Sequence, residues 1–182
     1  MKKLLFAAVA VLGFTFVNAQ ETKFGAKGGL NMSSLAGAEG ASSLFGAHLG
    51  GFAEIKFSEK FALQPELLFS MQGASYDAGG DTNMNYINIP VMAKYFVTNN
   101  ISLEAGPQIG FLMSAKSDGT DVKDGLNSTD FGINLGGSYY LNDNMFLTAR
   151  YGFGLSDVEK DLPSDEKGSK NSVFQLSFGY KF

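Results

Sequence analysis

Nine ionisable side chains occur at alternate positions inside segments whose other residues are mostly apolar or small. They are Lys27, Glu54, Lys56, Glu66, Lys94, Glu104, Asp130, Arg150 and Lys181. Carboxylates such as Glu54, Glu66 and Glu104 could act as paired acid–base groups on a substrate. Each of them lies in a different segment, however, and basic residues occupy equivalent positions in other segments. Because a buried charge is tolerated when it is paired, we predict a structural network of ion pairs that fills an enclosed space.

His48 is the single histidine of the chain and a further candidate for chemistry. A histidine-dependent hydrolase also requires a serine nucleophile and an orienting acid close to the imidazole. Serines are plentiful, but no motif singles one out as a nucleophile. We therefore expect His48 to be a solvated or hydrogen-bonded structural residue, and we expect no catalysis.

Acidic residues gather in two polar stretches in the second half of the chain. They are Asp118, Asp121, Asp124, Asp157, Glu159, Asp161, Asp165 and Glu166. Calcium takes several carboxylate oxygens, but these spacings match neither an EF-hand loop nor an RTX repeat. The chain contains no cysteine, and neither a phosphate-binding loop nor a zinc-ligand spacing is present. We expect solvated acidic loops and no metal or cofactor.

The segments that carry the ionisable residues alternate strictly between apolar and polar positions. Eight such segments follow one another between Phe24 and Phe182, and their apolar face carries no charge. A period of two is typical of β-strands that have one dry face. Short connections at 58–60, 98–100 and 142–144 alternate with longer ones at about 33–44, 77–85, 115–129 and 156–171. All the long connections must then emerge at one end of an antiparallel, up-and-down arrangement.

Pro65, Pro90 and Pro107 lie inside three of the predicted strands. Proline has no N–H to donate to a strand ladder, so it is normally confined to edges, strand starts and bulges. We therefore predict that these three positions are bulges or strand starts.

The N-terminus has the layout of a secretory signal peptide. Lys2 and Lys3 precede an apolar run from Leu4 to Val17, which ends in small residues before Gln20. Cleavage after Ala19 would remove residues 1–19 and leave one domain at 20–182, with twelve basic and eighteen acidic residues and a net charge of −6. This charge makes nucleic acid an unfavourable partner. No later segment resembles a membrane-spanning helix, so a membrane location requires a closed barrel.

Alternation alone leaves open which face of such a barrel meets water. A soluble lipocalin-like barrel would turn the apolar face inward around an apolar ligand. Three features favour the opposite arrangement: the polar face is rich in glycine, it carries five basic and four acidic residues, and the apolar side chains are too bulky for an eight-stranded lumen. We predict that the apolar face contacts lipid. A narrow porin is a further alternative, which the small strand number disfavours.

Several segments resemble a known family. They are 24–31 (FGAKGGLN), 63–70 (LQPELLFS), 86–91 (YINIPV), 103–108 (LEAGPQ) and 150–155 (RYGFGL). These are similar to the outer-membrane β-barrel domain family common in Bacteroidetes, often labelled PorT-like. The resemblance implies an integral outer-membrane barrel. Tyr180 and Phe182 likewise resemble the C-terminal aromatic signal that the barrel-assembly machinery recognises.

The sequence therefore predicts an all-β protein: an eight-stranded antiparallel up-and-down transmembrane β-barrel behind a cleaved signal peptide. We expect it to act in the cell outer membrane as a scaffold for four surface loops, in envelope structure, adhesion or partner docking. The expected partners are outer-membrane lipid, the barrel-assembly machinery and an unidentified loop partner. The sequence contains nothing that identifies this loop partner.

Overall fold

The computed structural model describes residues 21–77, 79–160 and 168–182. The predicted signal peptide at 1–19 lies outside the described residues, as do Asp161, Asp165 and Glu166 of the last acidic stretch. The long strands are β1 (Glu21–Ala36), β2 (Ala41–Lys56), β3 (Phe61–Tyr76), β4 (Asp81–Phe96), β5 (Ile101–Ser117), β7 (Thr129–Tyr140), β8 (Met145–Gly154) and β9 (Lys170–Lys181). A two-residue strand, β6 (Thr120–Asp121), and a 3-10 helix (Lys123–Gly125) lie between β5 and β7.

The eight long strands close into a barrel. Each pairs antiparallel with its neighbours in chain order, and β1 pairs with β9 to complete the ring. This arrangement confirms the predicted eight-stranded up-and-down barrel. Within the described part of the chain, no helix is long and apolar enough to cross a membrane.

The connections alternate between two ends, which we call the turn end and the loop end. Tight turns at 57–60, 97–100 and 141–144 form the turn end. At the loop end, β1 joins β2 through 37–40 and β3 joins β4 through 77–80, whereas 118–128 and 155–169 are longer. The predicted long loops at 33–44 and 77–85 were therefore too long. Their polar sequences, rich in Gly, Ser and Asp, suggested loops, but residues such as Ser33 and Ser43 continue the ladders as β-hairpins.

The prediction that the three prolines mark bulges or strand starts was wrong. Pro65, Pro90 and Pro107 each lie in the interior of a strand. Each coincides with a short gap in the pairing to one neighbouring strand, after which pairing resumes in the same register. A missing N–H explains such a gap, because only the ladder on one side needs that donor. The register shifts occur elsewhere, between Ser43 and His48 on β2 and beside Asn85 on β4.

The apolar side chains point outward. Leu30, Leu49 and Leu103, for example, expose 64%, 67% and 57% of their surface, whereas the polar set of the same strands is buried. The predicted orientation is thereby confirmed, and the lipocalin-like alternative is overturned. Aromatic pairs lie on this outer surface near the turn end, with Phe61 and Tyr95 at 5.1 Å and Tyr180 and Phe182 at 5.8 Å between ring centroids. Rings at this level are expected of a membrane-interface girdle.

Gly29 shows why the inward face is rich in glycine. A Cβ atom at Gly29 would lie 1.9 Å from the carbonyl oxygen of Leu176 on β9. The strongly curved wall at the β1–β9 seam therefore has no space for even one methyl group. Gly51, on the outward face of β2, has open surroundings, because its nearest contact would be the carbonyl oxygen of Gly25 at 3.5 Å.

We expect Gly29→Ala to destabilise the barrel by about 1–3 kcal/mol, because the new methyl group forces the two strands apart. Gly51→Ala is the matched control, and we expect it to behave like the unmodified protein. The measurement is the temperature at which the folded band converts to the unfolded band on an SDS gel. Equal midpoints for the two variants would contradict this account of the β1–β9 seam.

Candidate functional site

The inward side chains form layers between the turn end and the loop end. The first layer, nearest the turn end, is the aromatic layer, which consists of Phe52, Ala62, Phe96, Tyr140 and Phe146. Phe52 packs edge-on against Phe146 at 5.5 Å, and Phe146 lies 5.4 Å from Tyr140. These rings close the lumen at the turn end.

Arg150 is the centre of the next layer. Its Nη1 and Nη2 atoms donate to the two carboxylate oxygens of Glu66 at 3.0 and 2.8 Å. Its Nε atom donates to Glu104 Oε1 at 2.8 Å. All three side chains are at most 1% exposed. This bidentate geometry is the strong form of an arginine–carboxylate contact, and it links β8 to β3 and β5 across the lumen.

Two lysines extend the charged layer towards the aromatic layer. Lys94 Nζ donates to Glu54 Oε2 at 3.3 Å and to Gln64 Oε1 at 2.8 Å. Lys181 Nζ donates to the other Glu54 oxygen at 3.0 Å. Tyr140 donates its hydroxyl to Glu54 at 3.1 Å, so the carboxylate of Glu54 receives three donors.

Seven of the nine predicted residues are joined in one set of contacts, which we call the lumen network. They are Lys27, Glu54, Glu66, Lys94, Glu104, Arg150 and Lys181. The prediction of a single network was too broad for the other two residues. Lys56 lies at the turn end with its Nζ atom 5.0 Å from the centre of the Phe96 ring. Asp130 lies towards the loop end and accepts hydrogen bonds from Ser156 and Asn171 at 2.9 and 3.2 Å.

His48 is buried beside the lumen network. Its Nδ1 lies 2.7 Å from Asn31 Oδ1, and its Nε2 lies 2.8 Å from Ser177 Oγ. A serine, a histidine and an amide in this order resemble a hydrolytic triad, but all three side chains are buried. The partners of His48 are 17 and 129 residues away in sequence, and no local pattern pointed to them.

The loop end is closed by a second apolar cluster, which we call the apolar cap. It consists of Leu35, Ala74, Met84, Tyr86, Leu112, Ala115 and Val158. Val158 comes from the connection between β8 and β9, which is fixed by the hydrogen bond from Asn127 N to Val158 O at 2.8 Å. Val158 thus lies over the mouth of the barrel.

A small polar cavity remains between the lumen network and the apolar cap. Its volume is about 20 Å³, and its lining includes Gln72, Asn88, Asp130, Asn134 and Gln175. This is enough for a water molecule but not for an organic substrate. Across residues 21–77, 79–160 and 168–182, no group of three or more His, Asp or Glu side chains is placed to hold a metal ion.

A closed eight-stranded barrel with an apolar exterior and a filled polar interior defines an integral membrane protein of the outer-membrane type. Residues 18–160 match the family described as "Outer membrane protein beta-barrel domain". The chain therefore belongs to this family of outer-membrane β-barrel proteins.

Solved structures support the same fold. Neisserial surface protein A (NspA) is 13% identical with a TM-score of 0.59, covering 89% of this chain and 99% of that protein. Ail, the attachment invasion locus protein of Yersinia pestis, is 15% identical with a TM-score of 0.54 and the same two coverages. No curated protein sequence matches this chain. Both proteins are similar to this chain in fold.

We expect Glu66→Ala to destabilise the barrel by about 3–5 kcal/mol, because Arg150 loses its bidentate partner and Lys27 loses its carboxylate inside a closed lumen. Glu39→Ala, at an exposed loop tip, is the matched control. Thermal midpoints of the folded band in detergent measure the effect. If both variants unfold at the same temperature as the unmodified protein, the lumen network does not stabilise the fold.

Proposed function

We propose that this protein is an exported outer-membrane scaffold whose loop end faces the cell exterior and docks a partner with a positively charged surface. The observation that carries this proposal is the distribution of charge between the two ends and the lumen. The acidic excess of the described residues belongs entirely to the loop end.

The loop end and its approaches carry eight acidic and four basic side chains. The acidic residues are Glu39, Asp77, Asp81, Asp118, Asp121, Asp124, Asp157 and Glu159, and the basic ones are Lys116, Lys123, Lys160 and Lys170. The turn end carries three charges of each sign, and the lumen four of each sign. An acidic surface attracts basic partners and repels polyanions. Ail has been solved in complex with the heparin analogue sucrose octasulfate, but acidic loops disfavour such a ligand here.

We also propose how the protein is exported and assembled. Residues 1–19 serve as a cleaved signal peptide, and 20–182 form the mature outer-membrane domain. Tyr180 and Phe182 serve as the signal for the barrel-assembly machinery, and outer-membrane lipid then surrounds the apolar exterior. Segments such as 63–70 and 103–108 support a place within the wider family among the PorT-like proteins of Bacteroidetes.

The proposal includes no catalysis. The pair of Ser177 and His48 is enclosed in the lumen, and the neighbouring cavity of about 20 Å³ has no room for an acyl or phosphoryl substrate. A scaffold role places the work of the protein on its exposed ends, as is usual for loops on a rigid framework.

The absence of cysteine from the sequence allows a direct test of orientation. We expect Glu39→Cys at the loop end to react with a membrane-impermeant maleimide on intact cells. Asp143→Cys at the turn end is the matched control, and it should react only after the outer membrane has been permeabilised. Both variants should be recovered in the outer-membrane fraction, and on an SDS gel their folded band should shift when the sample is boiled. The opposite labelling pattern would invert the orientation, and recovery in the soluble periplasm would overturn the scaffold proposal.

We also expect no stable channel when the purified protein is reconstituted in a planar bilayer, because the aromatic layer and the apolar cap close the lumen at its two ends. A wide porin tested in parallel shows that the bilayer accepts barrels. Reproducible conductance steps of uniform size would contradict a closed lumen and favour the narrow-porin alternative.

A further inference from the structure

The turn end contains a cavity that the loop-docking role does not use. We call it the vestibule. It lies between the three tight turns, its floor includes Phe96 and Tyr140, and Lys56 and Lys181 are among its walls. Its volume of about 680 Å³ is typical of small-molecule sites, which span about 300–1,000 Å³.

The charged layer directly behind this floor is not electrically balanced. The lumen network contains four cations, Lys27, Lys94, Arg150 and Lys181, but three carboxylates, Glu54, Glu66 and Glu104. The fourth carboxylate of the lumen, Asp130, is engaged at the other end by Ser156 and Asn171. Each of the four cations contacts at least one carboxylate, but the four share three carboxylates, so the network carries a net charge of +1.

Lys56 adds a second positive charge at the vestibule itself. Its side chain is half-buried, its ammonium lies over the Phe96 ring at 5.0 Å, and no carboxylate of the described residues is within 4.0 Å of it. Lys181 shares the carboxylate of Glu54 with Lys94, so its charge is only partly compensated. Lys23 is paired with Glu21, and Lys60, Glu59 and Asp143 lie on exposed turns, where water and salt screen them.

We propose that the vestibule binds an oxyanion, the phosphate or carboxylate group of a small periplasmic ligand, between Lys56 and Lys181 above the rings of Phe96 and Tyr140. A bound oxyanion would supply the negative charge that the turn-side half of the lumen lacks, and the rings would contact the apolar part of the ligand. The site faces away from the loop end, so this role is independent of the loop partner.

The test is titration of the full mature protein in lipid nanodiscs with two probes, inorganic pyrophosphate and the tricarboxylate citrate, followed by isothermal calorimetry. We expect saturable binding that weakens as ionic strength rises. Lys56→Gln should weaken it by about tenfold, because the nearest unpaired cation is lost. Lys170→Gln, an exposed lysine at the loop end, is the matched control and should leave binding unchanged.

The pattern of binding distinguishes the sources of the oxyanion. Binding of pyrophosphate alone identifies a phosphate ligand, binding of citrate alone identifies a carboxylate ligand, and binding of both supports an oxyanion site without discrimination. Lys56 lies outside the lumen network, so the Lys56→Gln protein should fold and keep the boiling-dependent gel shift. If this variant does not fold, Lys60→Gln at the rim of the vestibule is used instead, and we expect it to weaken binding by less than tenfold. No saturable binding of either probe, or equal binding by the Lys56 and Lys170 variants, would overturn the proposal.

Discussion

The contact of Arg150 with Glu66 and Glu104 is the interaction on which the interior depends. It joins three strands across the lumen, and the contacts of Lys27, Lys94, Lys181 and Glu54 extend the same network to four more. Charges in a closed interior are tolerated only while they are paired. The network therefore requires the barrel to close in one register, and the closed barrel in turn requires a polar filling that satisfies its own charges.

The barrel is inverted relative to a soluble protein, with apolar residues outside and charged residues inside. Lipid removes the cost of an apolar exterior, and closure satisfies the backbone groups that lipid cannot. Four sets of side chains then fill most of the lumen: the aromatic layer, the lumen network, His48 with its hydrogen-bonded amides, and the apolar cap. Because this filling leaves a cavity of only about 20 Å³ in the middle of the molecule, interactions with other molecules are confined to the exterior and to the two ends.

These two ends differ in electrostatic character. The loop end is acidic and exposed, and its hairpins β1–β2 and β3–β4 carry regular strand structure to the tips. The turn end is neutral at its surface, but it covers a lumen half in which cations outnumber carboxylates. The two ends therefore favour ligands of different charge, because the exposed carboxylates of the loop end repel the anions that we propose for the turn end.

The sequence determined the strand number and the direction of the two faces, because these properties follow from a period of two that is visible locally. It overestimated two of the four loop-end connections, since the ladders at 37–40 and 77–80 continue to turns as short as those of the turn end. It also identified the seven residues of the lumen network as inward charges. Tertiary structure decided which of them meet. Lys56 and Asp130 share the inward face with the network, but strand tilt and register place them at opposite ends. Asn31 and Ser177 became partners of His48 only through closure, and the prolines remained in register because each loses one ladder bond on a single side. Alternation fixes the face on which a side chain lies, whereas its neighbours across the lumen depend on how all eight strands are arranged in the closed barrel.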